Sequence, residues 1–434
     1  MKAPWIGSLF VVSGLLAGSA AAQQEVASPT AGTPYGVGAG AELEATQART
    51  PGAPAPAPAD PVHNAFGPGV ADRDCQAGAS DCDCKGRCAE PSPYYGSVEF
   101  LWLRWKKQNV PPLVTSGNPN DTPTGALGQP GTVVLFGGED IGQGSFGAGR
   151  ITVGRWLSEE PTWGVETSFL FVEQRKSFFS AQTSGAPGTG AIAVPFFNND
   201  GGFEDANQVA LENVSSGSVA VRLTQRAWGA ELNLRRCCES CNGCLRLSGL
   251  AGFRFFSLQE SLDLETNAVA LPTDIGIQSS VAESHACRNN FYGGQIGAQA
   301  DYYHGNWRIS ALGKIAFGSN CEQLDIHGTT LNIDPINGTV VAPGGIFTGP
   351  NNMGNHHQTE FAVLPEVGLS LGRRISENLS VSVGYTFLYV SRVIRPGDQI
   401  DRVVNFQSND RPTVLFNQTD FWMQGVSFGL QYRF

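Results

Sequence analysis

Apolar and polar residues alternate with a period of two in ten long segments between Tyr94 and the carboxy terminus. The segments cover residues 95–106, 144–157, 163–175, 217–234, 244–258, 288–303, 307–323, 358–373, 379–392 and 420–434. Most are longer than ten residues, whereas strands in soluble proteins average about five or six. A tilted strand of about ten residues crosses a bilayer. The pattern therefore predicts an all-β fold, a transmembrane antiparallel up-and-down β-barrel of about ten strands.

The last segment, DFWMQGVSFGLQYRF, shows the two faces most clearly. Aromatic and aliphatic residues occupy one parity and Gly, Ser, Gln and Arg the other, as in a strand between lipid and a polar lumen. The segment resembles the carboxy-terminal signal that the outer-membrane assembly machinery reads, with Gly429, Tyr432 and Phe434 at the matching positions. We therefore expect the lipid bilayer and that machinery as partners.

Short and long connections alternate between the segments. Short turns are predicted at 158–162, 235–243, 304–306 and 375–378, and long loops at 107–143, 176–216, 259–287, 324–357 and 393–419. Bacterial barrels have short periplasmic turns and long outer loops. The apolar runs Thr132–Phe136 and Ala191–Phe197 leave twelve strands as an alternative. The Gly-rich first loop could lie on the rim or bend into the lumen.

The inward parity collects charges of both signs. The predicted lumen charges are Glu99, Glu166, Glu231, Asp301, Arg308, Lys314, Glu360 and Glu366, with Arg254 as a further candidate. In a barrel of about ten strands the interior is narrow, since open aqueous channels usually need about sixteen. Mixed charges in such a lumen favour a paired network and a small or closed pore. On the outer face, an aromatic girdle is expected near the short turns, from Trp156, Trp163, Trp228, Trp307 and Tyr303.

The amino-terminal region has a different composition. Lys2, the apolar run Trp5–Leu16 and the small residues Ala20–Ala22 predict a Sec-type signal peptide at residues 1–22. Residues 23–92 are rich in Pro, Ala and Gly and predict a disordered periplasmic linker, followed by the barrel at 93–434. The predicted location is the bacterial outer membrane. The net charge of −11 argues against a nucleic-acid partner.

The ten cysteines of this exported chain favour disulfides. Cys287 and Cys321 flank the turn around Gly305 at similar distances, which predicts a cross-strand disulfide between them. The other eight fall in two sets expected in the periplasm: Cys75, Cys82, Cys84 and Cys88, and Cys237, Cys238, Cys241 and Cys244. The C-x-x-C spacings leave a Zn²⁺ site as an alternative for the second set. We predict disulfides there, and no metal or other cofactor.

Three stretches add a resemblance to the generic pattern. They are YGSVEFLWLRWKKQNVPPLVTSG (Tyr95–Gly117), ALGQPGTVVLFGGEDI (Ala126–Ile141) and GAGRITVGRWL (Gly147–Leu157). Together they resemble the opening of the putative β-barrel porin-7 family of bacterial outer-membrane proteins, over about residues 94–434. The resemblance implies a fold and a location more than an activity.

The chain contains no G-x-S-x-G, H-E-x-x-H, Walker or dinucleotide-binding motif. We therefore do not expect an enzyme. The predicted function is structural, or a narrow or plugged porin-like passage for small solutes. An alternative is a surface interaction protein, adhesin-like, that binds surface ligands through its long loops. A third hypothesis is a hydrolase at the outer rim, using His356 and His357 with a carboxylate.

Overall fold

The structure is a computed structural model and describes residues 93–157, 163–239, 244–271, 276–408 and 410–434. The predicted signal peptide and linker, Cys75, Cys82, Cys84, Cys88 and Cys241, and the side chain of Cys238 lie outside this description. Among the residues described, none belongs to a helix long and apolar enough to cross a membrane.

The described residues form eighteen strands and one short 3-10 helix. In chain order the strands are β1 (Tyr94–Trp105), β2 (Gln108–Val110), β3 (Val114–Gly117), β4 (Val133–Phe136), β5 (Glu139–Ile141), β6 (Ser145–Trp156), β7 (Trp163–Thr183), β8 (Ala191–Asn198), β9 (Phe203–Ala210), β10 (Ser215–Glu239), β11 (Leu245–Ala270), β12 (Gln278–His304), β13 (Trp307–Asp334), β14 (Gly338–Pro343), β15 (Gly354–Arg374), β16 (Leu379–Ile394), β17 (Val403–Val404) and β18 (Gln418–Arg433). The helix, Pro396–Gln399, lies between β16 and β17.

Ten of these strands close into an antiparallel barrel. Their order around the wall is β1, β6, β7, β10, β11, β12, β13, β15, β16 and β18, and β18 pairs with β1 to complete the ring. The predicted ten-stranded barrel is therefore confirmed. Several wall strands are longer than predicted, since β11, β12 and β13 have 26, 27 and 28 residues. Residues expected in outer loops instead extend the wall.

The alternation of the sequence becomes an outer apolar face and an inner mixed face. On β1, Phe100 and Trp102 are 56% and 62% exposed, whereas Leu101 and Leu103 are buried inside. On β13 the outward apolar residues run from Trp307 to Phe317. Ten residues at a rise of about 3.3 Å and a tilt near 40° span about 25 Å, the height of the apolar band of a barrel.

Chain from the long loops fills one end of the barrel. The loop lengths predict that this end is extracellular, so we call it the extracellular mouth and the opposite end the periplasmic end. β17, β8, β3 and β4 form a sheet with β9 added beside β8, and β2 pairs with β5. We call the five-stranded sheet the cap. Its apolar residues pack against inward residues of β10 and β11 and against Ile346 and Phe347 in one buried cluster. The runs that allowed twelve strands are thus β4 and β8, which lie in the cap and not in the wall.

Candidate functional site

The lumen is the candidate site. Strand β11 runs along it and contributes inward side chains at each of its levels. From Arg254 toward the long loops, its inward side chains are Arg254, then Phe256 and Leu258, then Glu260, then Leu262 and Leu264. This order corresponds to a charged layer, an apolar layer, a buried ion pair and the underside of the cap. Each level involves strands that are far apart in the sequence.

Below the charged layer is a polar vestibule toward the periplasm. Its cavity has a volume of about 170 Å³, and its wall is rich in hydroxyl groups, from Ser97, Thr152, Ser168, Ser310, Ser370, Ser382 and Ser427. At its edge the hydroxyl of Tyr95 donates to Glu166 over 2.7 Å, and Arg235 pairs with the same carboxylate at 3.1 Å. A cavity of this composition suits water and small polar solutes.

The charged layer consists of Arg150, Glu231, Arg254, Lys314 and Glu366. The fully buried Glu366 accepts from Arg150 at 2.8 Å and from Arg254 at 2.6 Å, with Lys314 at 3.3 Å. Glu231 pairs with Lys314 at 2.8 Å and with Arg254 at 3.3 Å. Each carboxylate therefore has at least two cationic partners. Such mutual pairing offsets the cost of burying charge and gives a cross-braced structural network.

Most of the predicted lumen charges contribute to this network or its margin. Glu99 lies 3.8 Å from Arg150, and Asp301 lies 3.8 Å from Arg235 and 4.0 Å from Arg308. Glu360 does not join them. It lies nearer the extracellular end of β15 in a partly exposed pair with Arg392 at 2.8 Å.

Sequence reasoning missed the cations Arg150 and Arg235. Arg150 lies on a strand where Gly, Arg and Trp interrupt the alternation, so its inward direction was not visible, and Arg235 was expected in a short turn but lies in β10. An available clue was charge balance, because the predicted lumen set held six acidic residues and two basic ones, with Arg254 as a further candidate. Buried carboxylates need partners, so further cations had to come from the poorly patterned strands.

Above the charged layer, apolar side chains from opposite walls meet across the barrel. We call this set the apolar layer: Trp105, Phe146, Phe256, Phe291 and Phe421, with Leu101, Leu103, Leu258, Leu364, Leu388 and smaller residues between them, all buried in one cluster. The rings of Trp105 and Phe146 lie 3.7 Å apart between centroids, and Trp105 and Phe421 lie 5.5 Å apart. Buried apolar side chains thus extend across the lumen at this level.

A buried ion pair lies directly above the apolar layer. Arg395, at the amino end of the 3-10 helix, donates to both oxygens of Glu260 at 2.8 and 2.6 Å. It also donates to the backbone carbonyls of Lys106 and Lys107 at 3.0 and 2.8 Å. Both side chains of the pair are fully buried. The Arg395–Glu260 pair thus ties the last long loop and the end of β1 to the opposite wall.

Glu283, on the barrel wall, binds the loop segment at Phe347 and Thr348 in the mouth. It lies nine residues beyond Tyr292, the last strongly exposed apolar residue of β12, and therefore beyond the apolar band. Its Oε1 accepts from the backbone N–H of Phe347 at 2.7 Å and from the Thr348 hydroxyl at 2.9 Å. Burial raises the pKa of Glu283 to about 7, and burial lowers the pKa of nearby His285 to about 4.

The expected disulfide between Cys287 and Cys321 is not formed, and both thiols are free. Cys287 pairs in register with Leu324, and Cys321 with Asn290. Since the offset of three residues is odd, Cys287 faces inward, where it is buried, and Cys321 faces the opposite side. In the second set, Cys237 is buried and free, and Cys244 is buried and disulfide-bonded.

The histidines proposed for a rim site are not brought together. His356 and His357 are adjacent on β15 and therefore face opposite sides, and His356 Nε2 lies 2.9 Å from the carbonyl of Asn352. His327 pairs with Asp325 at 2.9 Å, on a surface where the histidine is 71% exposed. No enclosed catalytic arrangement follows from these contacts.

Comparison with known proteins shows a match to one family and a distant similarity to solved barrel structures. A sequence model for the family described as putative beta barrel porin-7 matches residues 95–434. No curated protein matches significantly. The Escherichia coli outer membrane protease OmpT is similar over 79% of this chain and 97% of its own, at 10% identity and a TM-score of 0.39. A Pseudomonas aeruginosa FadL homologue is similar over 79% and 90%, at 8% identity and a TM-score of 0.23. Likeness at these scores carries no inference about activity.

Proposed function

The chain belongs to the putative beta barrel porin-7 family, and from that premise we propose that it is an outer-membrane barrel with a sealed lumen and a structural role. The observation that carries the proposal is the apolar layer. Five aromatic side chains and the aliphatic residues between them are buried across the lumen. An ion or polar solute crossing that layer would lose its hydration without gaining a polar partner.

Two further features support a sealed resting state. The charged layer is internally paired, so its charges are not free to coordinate a passing ion. The cap fills the extracellular mouth, with its own buried cluster against β10 and β11. Restricted passage of small solutes would require the Arg395–Glu260 pair and the apolar layer to separate together.

Conductance of the full chain, refolded into planar bilayers, tests the proposal. We expect no steady current steps from the wild type. The double variant Phe256→Gly, Phe291→Gly removes two rings from the apolar layer and should produce small, discrete steps. The matched control is Phe253→Gly, because Phe253 lies on the same strand but faces lipid and is 50% exposed. Folding of each protein is checked by heat-modifiable migration on a gel. Steps of nanosiemens size from the folded wild type would overturn the proposal.

A surface interaction role is the second candidate. It is favoured by apolar residues exposed on extracellular elements, namely Ile336, Val340 and Val341 on the β13–β14 hairpin and Val133–Leu135 on the cap edge strand β4. Exposed apolar residues on an unpaired strand edge are a means of recruiting another chain. The test is a variant with a shorter hairpin between Asp334 and Gly338 and with Val340 and Val341 replaced by Thr. If this role is correct, bacteria that display the variant should no longer adhere. The heat-modifiable migration of the variant should be unchanged.

We also propose that residues 1–22 are a signal peptide, which directs export and is then removed, and that residues 23–92 form a periplasmic leader. The proposal rests on the apolar run Trp5–Leu16, the small residues before Gln23 and the Pro/Ala-rich composition that follows. Amino-terminal sequencing of the protein from outer membranes should begin at Gln23. Protease added to intact cells should leave the leader uncut, whereas permeabilised cells should lose it.

A further inference from the structure

Three arginines at the periplasmic end of the barrel are each held over an aromatic ring of the neighbouring strand. Arg155 lies over Tyr94 at 5.1 Å, and Arg236 over Trp163 at 5.3 Å. Arg373 lies over Trp307, also at 5.3 Å. The register makes each pair direct cross-strand neighbours. The same arrangement therefore occurs at three separate strand pairs, and we call these the Arg–aromatic pairs.

All three pairs face lipid. Tyr94, Trp163 and Trp307 are 44%, 41% and 45% exposed, and the three arginines are exposed as well. By contrast, two members of the predicted girdle, Trp156 and Tyr303, have the inward parity. Each pair stands at the first or last residues of its strands, below the apolar band that begins with residues such as Val98, Val165 and Ile309. This is the height of the phospholipid headgroups in the periplasmic leaflet.

The charges of the Arg–aromatic pairs lack acidic partners in the described part of the chain. Within it, no carboxylate lies within ion-pair distance of the three guanidiniums. Exposed cations near the extracellular end are of two kinds, since Arg104, Arg222 and Arg288 also lack a carboxylate at ion-pair distance among the described residues, whereas three others are paired. Lys106, Arg175 and Arg392 are paired with Asp420, Glu173 and Glu360 respectively. Among the described residues, the three guanidiniums at the periplasmic end therefore have no carboxylate partner that would compete with an anionic ligand.

We propose that the Arg–aromatic pairs are binding sites for anionic phospholipids of the periplasmic leaflet. A guanidinium presents a planar fork of donors that matches two phosphate oxygens. The ring beneath it restricts the side chain and adds a cation–π attraction, so less rotamer freedom is lost when the phosphate binds. The first acyl carbons would then lie against the apolar band directly above.

The pairs are distributed unevenly around the wall. Tyr94, Arg155, Trp163 and Arg236 lie on four consecutive strands, β1, β6, β7 and β10, whereas Arg373 and Trp307 lie on β15 and β13. We therefore infer one site with two arginines and a second site with one. The two-arginine site should prefer a lipid with more than one phosphate, such as cardiolipin, and the single site should accept phosphatidylglycerol.

Native mass spectrometry of the detergent-solubilised full chain, titrated with phosphatidylglycerol, cardiolipin or phosphatidylcholine, tests the proposal. We expect the anionic lipids to bind several-fold more tightly than phosphatidylcholine. One basic residue near a charged lipid is worth about 1 kcal/mol, so each Arg→Gln change should weaken anionic lipid binding about fivefold. Arg155→Gln with Arg236→Gln should remove the cardiolipin preference, and Arg373→Gln alone should leave it.

Two further variants separate the sites from general electrostatics. The control Lys106→Gln, Arg175→Gln, Arg392→Gln removes the same number of positive charges from the extracellular end and should leave anionic lipid binding unchanged. Replacing Trp163 and Trp307 by Leu keeps every arginine and should still weaken binding, since the guanidiniums lose their rings. The proposal is overturned if the wild type shows no anionic preference, or if the control weakens binding as much as the Arg–aromatic variants. Should a double variant fail to fold, Arg373→Gln decides the question for its own site.

Discussion

The Arg395–Glu260 pair offers the sharpest energetic prediction. Replacing Arg395 by Met removes two charge-assisted hydrogen bonds to Glu260 and two bonds to the carbonyls of Lys106 and Lys107. Among the described residues, Glu260 would keep only the amide of Gln225 as a hydrogen-bond partner, at 2.6 Å. Breaking one side of a buried ion pair costs about 3–5 kcal/mol. We expect Arg395→Met to lie at the upper end of that range, because the carbonyls also lose their donor.

The double variant separates the pair from its surroundings. Glu260→Gln leaves the guanidinium buried without its counter-charge and should cost about 3 kcal/mol. With both changes no uncompensated charge remains, so the double variant should be less destabilised than the two single costs added together. A coupling free energy of about 2–3 kcal/mol is expected, within the range found for residues in contact.

Urea unfolding followed by tryptophan fluorescence gives the four free energies, provided that the m-values agree. The Arg392–Glu360 pair is a matched control, since it joins the same kinds of side chain at 2.8 Å but the arginine is 55% exposed. Exposed pairs are worth about 0–1 kcal/mol, so Arg392→Met with Glu360→Gln should show little coupling. A coupling for the buried pair no larger than that of the exposed pair would refute the reasoning.

Three other predictions concern the extracellular half of the barrel. Cys321 should react with a maleimide in the folded protein and Cys287 only after unfolding, because burial removes access to the Cys287 thiol; equal labelling of both would contradict the register. The folded state binds the Glu283 proton more tightly than the unfolded state, so this carboxyl lowers the free energy of unfolding as pH rises from about 4.5 to about 7. His285 has the opposite effect, because the folded state holds it neutral: its contribution to stability is lost as pH falls from about 6.5 through about 4. Relative to wild type in urea unfolding, Glu283→Gln should therefore gain stability with rising pH and His285→Gln with falling pH, and parallel pH profiles would count against both assignments. Gly345→Ala should destabilise the mouth by about 1–3 kcal/mol, since a Cβ there would lie 2.5 Å from the Glu283 carboxyl, and near-neutral unfolding data would mean that Glu283 moves freely.

The sequence predicted the barrel wall well because the alternation that identifies a wall strand lies within each strand's own segment. A strand between lipid and lumen must alternate, and the alternation of β16 and β18 is visible within each segment. Strand ends were underestimated where the wall rises above the membrane. There, in β11 and β12, outward residues are polar and inward residues mixed, so the period-two contrast fades although the ladder continues.

The lumen could be predicted only in part. Inward acids such as Glu231 and Glu366 follow from parity, but their partner Arg150 comes from a strand on which glycines obscure the pattern. Which cation meets which carboxylate depends on positions around the ring, and Arg150 and Glu366 are 216 residues apart in the chain. No local pattern specifies a contact of that separation.

The sequence by itself determined the class of the protein, ten or twelve as the number of wall strands and the faces of most of them, since those follow from the two-residue repeat and the need to satisfy backbone hydrogen bonds in lipid. Only the tertiary structure decided the register that separates Cys287 from Cys321, the folding of β4 and β8 into the cap, and the apolar layer across the lumen. Register depends on how neighbouring strands pair over their whole length, and a shift of one residue reverses every face. The apolar layer depends on side chains from opposite walls meeting in space, which the order of residues along the chain does not encode locally.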